Sequence, residues 1–243
     1  MRLKLTIAYD GGPFSGWQSQ ATKDAVQDVM ERAFEKITGS RVVVHGSGRT
    51  DSGVHALGQS AHVDVDGAMT PSDWQRALNA TLPRAIRIMR ARKAAEDFHA
   101  RFAARGKIYR YLIRNGPVLP PHEVGRVWHF PQDLDFATFT QAARIFEGRH
   151  DFAAFAANRG ATVKDTHRTI HRVTPARKGE LWSVTFEGEG FLYKMVRMLT
   201  GAAVRVAQGR EDIKNLSERL QVGAPKWHYV APADGLYLVR VLY

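Results

Sequence analysis

The sequence predicts an α+β chain built as two units. Three observations carry that expectation. The 243 residues allow two domains of ordinary size. Hydrophobic residues make up 44% and charged residues 24%, the balance of a folded chain with a sizeable core. Pairs of strand-like segments separated by helix-like ones occur in both halves, with no repeat and no low-complexity stretch. The boundary is expected between residues 95 and 106, giving domains 1–103 and 104–243.

In chain order, Leu3, Leu5, Ile7 and Tyr9 alternate with polar or small neighbours, so residues 2–9 read as a strand that Asp10-Gly11-Gly12-Pro13 ends. Val26, Val29, Met30, Ala33, Phe34 and Ile37 keep helical spacing over 24–38, and Gly39 stops that helix. Residues 42–44 read as a short strand and 58–66 as a longer one. Thr70 caps the next helix, with Pro71 at its first position and Asp73 reaching back, and Pro83 ends it. Strands follow at 86–92 and 107–114, then the breaker-rich loop NGPVLPP at 115–121. A helix over 135–147 turns Phe136, Phe139, Ala143 and Phe146 inward, with Gly148 beyond it. Strands near 169–173 and 181–186 precede a largely apolar helix at 194–208, closed by Gly209. A short helix at 213–220 and a strand at 236–242 complete the chain.

The chain holds no cysteine, which excludes disulfides, thiolate metal sites and cysteine nucleophiles and fits a reducing cytoplasm. No apolar run approaches the roughly 18 residues of a membrane helix, and MRLKLTIAYDGG does not read as a signal peptide. The net charge of +11 is uneven. Residues 84–114 carry ten basic and two acidic side chains, and residues 159–178 six and one. Two basic blocks in a near-neutral remainder point to a polyanion, because each phosphate contact releases counterions. A solvated charged face gives the same composition.

The segment GSGRTDSGVHA at 46–56 carries the chemistry. Three glycines frame Arg49 and Asp51 and let a ligand come close. An Asp on such a loop serves as nucleophile, base or metal ligand, or simply satisfies its own turn amides. The loop lacks the Gly-Lys-Ser/Thr of a phosphate-binding P-loop, and Asp51 stands where a dinucleotide fingerprint wants its third glycine.

GRTDSGVHALGQSAHVD resembles the catalytic signature of the tRNA pseudouridine synthase A family. LTIAYDGGPFSGWQSQ, FHARFAARGKIYRYLI, DFAAFA, THRTI, GFLYKMVRMLTG and GLYLVRVLY are similar to further segments of that family, in the family's order, over nearly the whole chain. The resemblance implies a pseudouridine synthase fold, with mainly antiparallel sheets forming a central RNA-binding cleft. It implies uridine isomerisation at positions 38, 39 and 40 of tRNA, no cofactor, and a homodimer in which one tRNA contacts both subunits. The family's catalytic aspartate falls on Asp51, the arginine that pairs with it on Arg197, and the tyrosine that stacks on the target base on Tyr109. The arginine implicated in base flipping falls on Arg49. Further tRNA contacts fall on Phe98, His99, Arg101 and Phe102, and around Lys164 and Arg168. Met198 stands where the family commonly has asparagine.

Two other readings stay open from the residues. A metal-dependent nuclease would use Asp10, Asp51, Asp64 and Asp66, the last two on one strand face. A non-catalytic RNA-binding module explains the charge but not the lone Asp in the glycine loop. His45, His55 and His62 read as packing or hydrogen-bonding residues. His167 and His171 lie on an extended segment and share no helical face.

Overall fold

A computed structural model describes residues 1–157 and 165–243. Its elements are β1 (Arg2–Tyr9), α1 (Val26–Thr38), β2 (His45–Gly46), β3 (His55–Asp64), α2 (Pro71–Thr81), β4 (Ile86–Lys93), β5 (Gly106–Asn115), β6 (Trp128–Phe130), α3 (Phe136–Arg144), β7 (Gly148–Asp151), β8 (His167–Lys178), β9 (Leu181–Gly188), α4 (Met195–Ala207), α5 (Ile213–Glu218) and β10 (Leu236–Leu242). They form two compact units: Met1–Arg105 with Tyr237–Tyr243, and Gly106–Leu236. The last strand therefore rejoins the first unit, although residue order puts it with the second.

In the first unit β1 lies between β4 and β3, antiparallel to both. The other edge of β3 is shared. β10 pairs with it in parallel at Tyr237↔His55, and β2 pairs antiparallel at His45↔His62. Leu3, Leu5, Ile7 and Tyr9 all point into the core, as the two-residue period requires. Phe34 of α1 meets Trp74 of α2 at 5.4 Å between ring centroids. Burying side chains of this size stabilises the unit by about 1.5–3 kcal/mol each. Met89 is the extra residue of a bulge in β4, where Thr6↔Arg90 is followed by Ile7↔Ile88. Asn79 and Gln75 of α2 bond main-chain groups of Ile88 and Met89 along this edge strand.

Sequence spacing misplaces three elements here, of which the strand expected at 58–66 runs over His55–Asp64 instead. Residues 42–44 are not a strand. The Val44 N–H donates to Glu31 Oε1 of α1 at 3.1 Å, and pairing with β3 starts only at His45. Helix α1 opens at Val26 rather than residue 24, because Asp28 reaches back to the Ala25 N–H while Asp24 accepts from Ser15 and Thr22.

In the second unit β5 pairs antiparallel with β9, β9 with β8 and β8 with β7, while β6 adds in parallel to β5. The three-residue β6 and four-residue β7 are too short to give a periodic signal, so sequence spacing passes over both. Helix α4 is buried along most of its length. Phe136 and Phe139 of α3 pack on Trp182 of β9 at 4.9 and 5.7 Å. The mainly antiparallel pairing in both units is the α+β class expected from the sequence.

Candidate active site

Asp51 sits between β2 and β3 on a loop that the rest of the first unit holds from below. The buried Gln59 of β3 does most of this. Its Oε1 accepts from Ser47 Oγ at 2.7 Å and from the Ser60 N–H at 3.0 Å, and its Nε2 donates to the Gly48 carbonyl at 2.9 Å. Beside it the Tyr9 hydroxyl and Thr50 Oγ1 are 2.8 Å apart and both buried. Burial pushes the Tyr9 hydroxyl well above its ordinary range, so it stays protonated. The far side of the loop rests on residues 11–17. The Trp17 N–H donates to the Thr50 carbonyl at 3.1 Å, and Ser52 Oγ donates to the Phe14 carbonyl at 3.2 Å. Gly16 has φ +95° and approaches so closely that a Cβ there would lie 2.5 Å from the Thr50 oxygen. The Val54 N–H donates to the Asp51 carbonyl and closes the turn.

Arg49, two residues before Asp51, is exposed, and its Nε faces Gln18 Oε1 at 3.4 Å. Phe98, His99, Arg101 and Phe102 come together in the same unit around a histidine cluster. His99 lies 4.6 Å from His62 and 4.3 Å from Phe102, and His62 stacks on His45 at 4.9 Å. His62 Nδ1 accepts from the Ala100 N–H at 3.1 Å, which pins the segment to β3. Burial, with the charges of His45, His99 and Arg2 behind it, lowers the His62 pKa to about 4, so the acceptor is neutral. Phe102 is 77% exposed, an aromatic face open to a ligand.

Tyr109 and Arg197 belong to the second unit. Tyr109 is buried on β5 opposite Phe186 and meets the Phe191 ring edge-on at 5.1 Å. Arg197 lies in the first turn of α4. Its Nε donates to the Ala231 carbonyl at 2.8 Å, and its own carbonyl accepts from the Ala231 N–H at 3.2 Å. Burial pushes the Tyr111 hydroxyl up against a smaller opposing pull from the Arg197 charge. Met198, next in α4, is buried. Arg168 lies on β8 and donates to the Asp165 and His167 carbonyls. Lys164 lies outside the described residues.

The aspartates of the nuclease reading are placed differently. Asp64 is clasped by Arg2 at 2.7 and 2.9 Å, which holds its carboxyl below the usual range, and Asp66 lies beyond the end of β3. Among the described residues no group of three or more His, Asp or Glu is placed to hold a metal ion. His55 Nδ1 accepts from the Gly11 N–H at 3.0 Å and its ring stacks on Tyr237 at 4.6 Å. Both His167 and His171 lie on β8. Sequence spacing misses the scaffold of the Asp51 loop: Tyr9, Trp17, Ser47, Thr50 and Gln59. The available signal was Gln59, a glutamine in the interior of a strand-like segment.

A family model described as tRNA pseudouridine synthase matches residues 5–103 and 142–243. The chain is 47% identical to tRNA pseudouridine synthase A of Akkermansia muciniphila, covering 100% of this chain and 95% of that one. It is 41% identical to the protein of that name from Methylacidiphilum infernorum, over 99% and 94% of the two chains. A Geobacillus relative of the same name is 39% identical over 100% and 98%. Among the described residues no helix is long and apolar enough to cross a membrane. With both halves of the chain matched and relatives aligned from end to end, the chain belongs to the tRNA pseudouridine synthase family.

Proposed function

We propose that this chain converts uridine to pseudouridine at positions 38, 39 and 40 of the tRNA anticodon arm, with Asp51 as the catalytic carboxylate. The reaction breaks the N1–C1′ bond, turns the base, bonds C5 to C1′ and moves the C5 proton. Atoms and electrons balance within one nucleotide, so the chemistry requires no redox cofactor, metal or ATP. It requires an ionised carboxylate at the sugar and an acceptor for the C5 proton. Arg197 takes the role of pairing with Asp51, favouring its charged form and fixing its orientation. Tyr109 stacks on the turned-out base and is the candidate proton acceptor. Extruding the uridine costs a few kcal/mol, and Arg49 is assigned to the space it leaves. Phe98, His99, Arg101 and Phe102, with Lys164 and Arg168, contact the RNA. The enzyme works in the cytoplasm as a homodimer.

The observation that carries this reading is the Asp51 loop, held by a buried polar scaffold in a member of this family. Such a scaffold keeps a carboxylate in place without reorganisation at the moment of reaction. The test incubates purified protein with an unmodified tRNA transcript and maps new pseudouridines at nucleotide resolution. Wild type is expected to modify positions 38 to 40. Asp51→Ala is expected to lose about 10³-fold or more in rate, roughly 4 kcal/mol of transition-state stabilisation. Full activity of Asp51→Ala, or modification confined to other sites, defeats the assignment.

A further inference from the structure

We propose that a cleft beside the C-terminal half of α4 is a second RNA-binding site, which takes backbone phosphates and stacks one base on Tyr229. The proposal rests on tRNA being the substrate. The cleft has a volume of about 320 Å³, near the lower bound of ordinary ligand sites, and is lined by Arg205, Glu211, Arg219, Lys226, Trp227 and Tyr229. Three cations thus face one space. Among the described residues none of them has a carboxylate within 4.0 Å. The single acid, Glu211, offsets one of the three charges and leaves the lining net positive, and its Oε1 accepts from the Asp212 N–H and from Asn215 Nδ2.

The cations are also held in place. Lys226 Nζ donates to the Ala153 and Ala156 carbonyls, and Arg219 Nη1 donates to the Pro225 carbonyl at 2.9 Å. The Arg219 guanidinium lies over Trp227 at 5.5 Å, and that of Arg205 over Tyr229 at 5.7 Å. Stacking fixes the plane of each guanidinium and leaves N–H groups to donate. The Trp227 indole N–H donates to the Tyr229 carbonyl at 2.7 Å, so the buried tryptophan anchors a tyrosine that remains 38% exposed. Converging cations without an acid partner repel one another, and an anion with several acceptor oxygens relieves that repulsion. An exposed aromatic beside them suits the base of the same nucleotide.

The test measures binding of the full-length chain to unmodified tRNA over a series of salt concentrations. The double variant Arg205→Gln/Arg219→Gln is expected to lower the slope of log affinity against log salt by about one per arginine. It is expected to weaken binding about tenfold at 0.1 M salt. The pair Arg205→Lys/Arg219→Lys keeps the charges and should restore the slope. Tyr229→Ala should weaken binding equally at every salt concentration. Should the double variant fail to fold, Arg205→Gln alone is expected to remove about one unit of slope. An unchanged slope in a folded variant overturns the proposal. Calorimetry with uridine monophosphate and inorganic phosphate separates the other source: binding lost in the variant while the tRNA slope stands means a free-nucleotide site and overturns the RNA site. Wild-type protein that binds tRNA with the expected slope but makes no pseudouridine overturns the proposed function and leaves the cleft standing.

Discussion

The loop carrying Asp51 and the helix carrying Arg197 solve the same problem by opposite means. Each must hold one polar side chain at a fixed point. The loop has no ladder of its own, so its main chain is tied down by buried polar side chains, above all Gln59, and by the close approach of Gly16. Helix α4 satisfies its own main chain and is fixed by burial of Val196, Leu199, Ala203 and their neighbours, and Arg197 Nε donates to the Ala231 carbonyl. A polar scaffold is directional and fails when one member loses its partner. An apolar helix tolerates small changes that preserve volume. The two regions should therefore answer quite differently to substitution.

The sharpest way to break that contrast is at Gly16. Alanine there would need φ near +95° and would place a Cβ 2.5 Å from the Thr50 carbonyl. The three nearest atoms, Thr50 O, Asp51 C and Ser52 N, are all main chain and cannot yield. We expect Gly16→Ala to cost about 3–4 kcal/mol in denaturant unfolding and to lower isomerisation out of proportion to tRNA affinity. A loss under 1 kcal/mol would mean the loop is freer than its contacts indicate. Gln59→Leu comes next. It matches the volume but strands Ser47 Oγ, the Ser60 N–H and the Gly48 carbonyl in a dry site, at a cost of about 2–3 kcal/mol. Gln59→Glu keeps the acceptor yet loses the donor to Gly48, so it should fall between wild type and Gln59→Leu.

The same contrast explains what was legible in the sequence. Strand β1 and helix α2 were readable because their signals are local: a period of two in the former, a Thr70–Pro71–Asp73 cap in the latter. The 42–44 segment misled because valines favour strands, whereas here the Val44 N–H is used by a side chain of α1. β10 could be seen as a strand, but nothing near it in sequence says that its partner is His55. Asp51 itself stood out among glycines, while its supports came from residues 9, 17 and 59, which only the folded chain brings to the loop. Long-range polar contacts leave no periodic trace. The family resemblance supplied Tyr109 and Arg197, which alone read as an ordinary strand aromatic and a helix cation.

A polar scaffold also titrates, and an apolar one does not. His62 must be neutral to accept from the Ala100 N–H, and its pKa is about 4 in the folded chain against about 6.5 unfolded. Between those values the unfolded chain binds more protons, so stability is full above about 6.5 and falls as pH drops towards 4. The groups facing His62 are His45, His99, Arg2 and Asp64, and the exposure of His45 to solvent screens part of the effect. We expect unfolding free energy to be about 1–2 kcal/mol lower at pH 5 than at pH 8, with a smaller fall in His62→Gln. An identical profile in the variant would assign the pH dependence to other groups.

The smallest effect belongs to the helix. Gly201 of α4 also makes a close contact, with a Cβ there 2.9 Å from Tyr229 Cδ1 and 3.3 Å from the Ala231 nitrogen. Two differences from Gly16 matter. The nearest atom is on a partly exposed ring that can turn aside, and the glycine already has helical dihedrals that alanine prefers by about 1 kcal/mol. The gain in helix propensity offsets most of the crowding, so Gly201→Ala should change unfolding free energy by no more than about 1 kcal/mol. Its isomerisation rate then reports how tightly Ala231 holds Arg197. If pushing the 229–231 segment outward loosens that tie, the rate falls while stability stands, and the Ala231 contact matters to Arg197 as Gln59 matters to the loop.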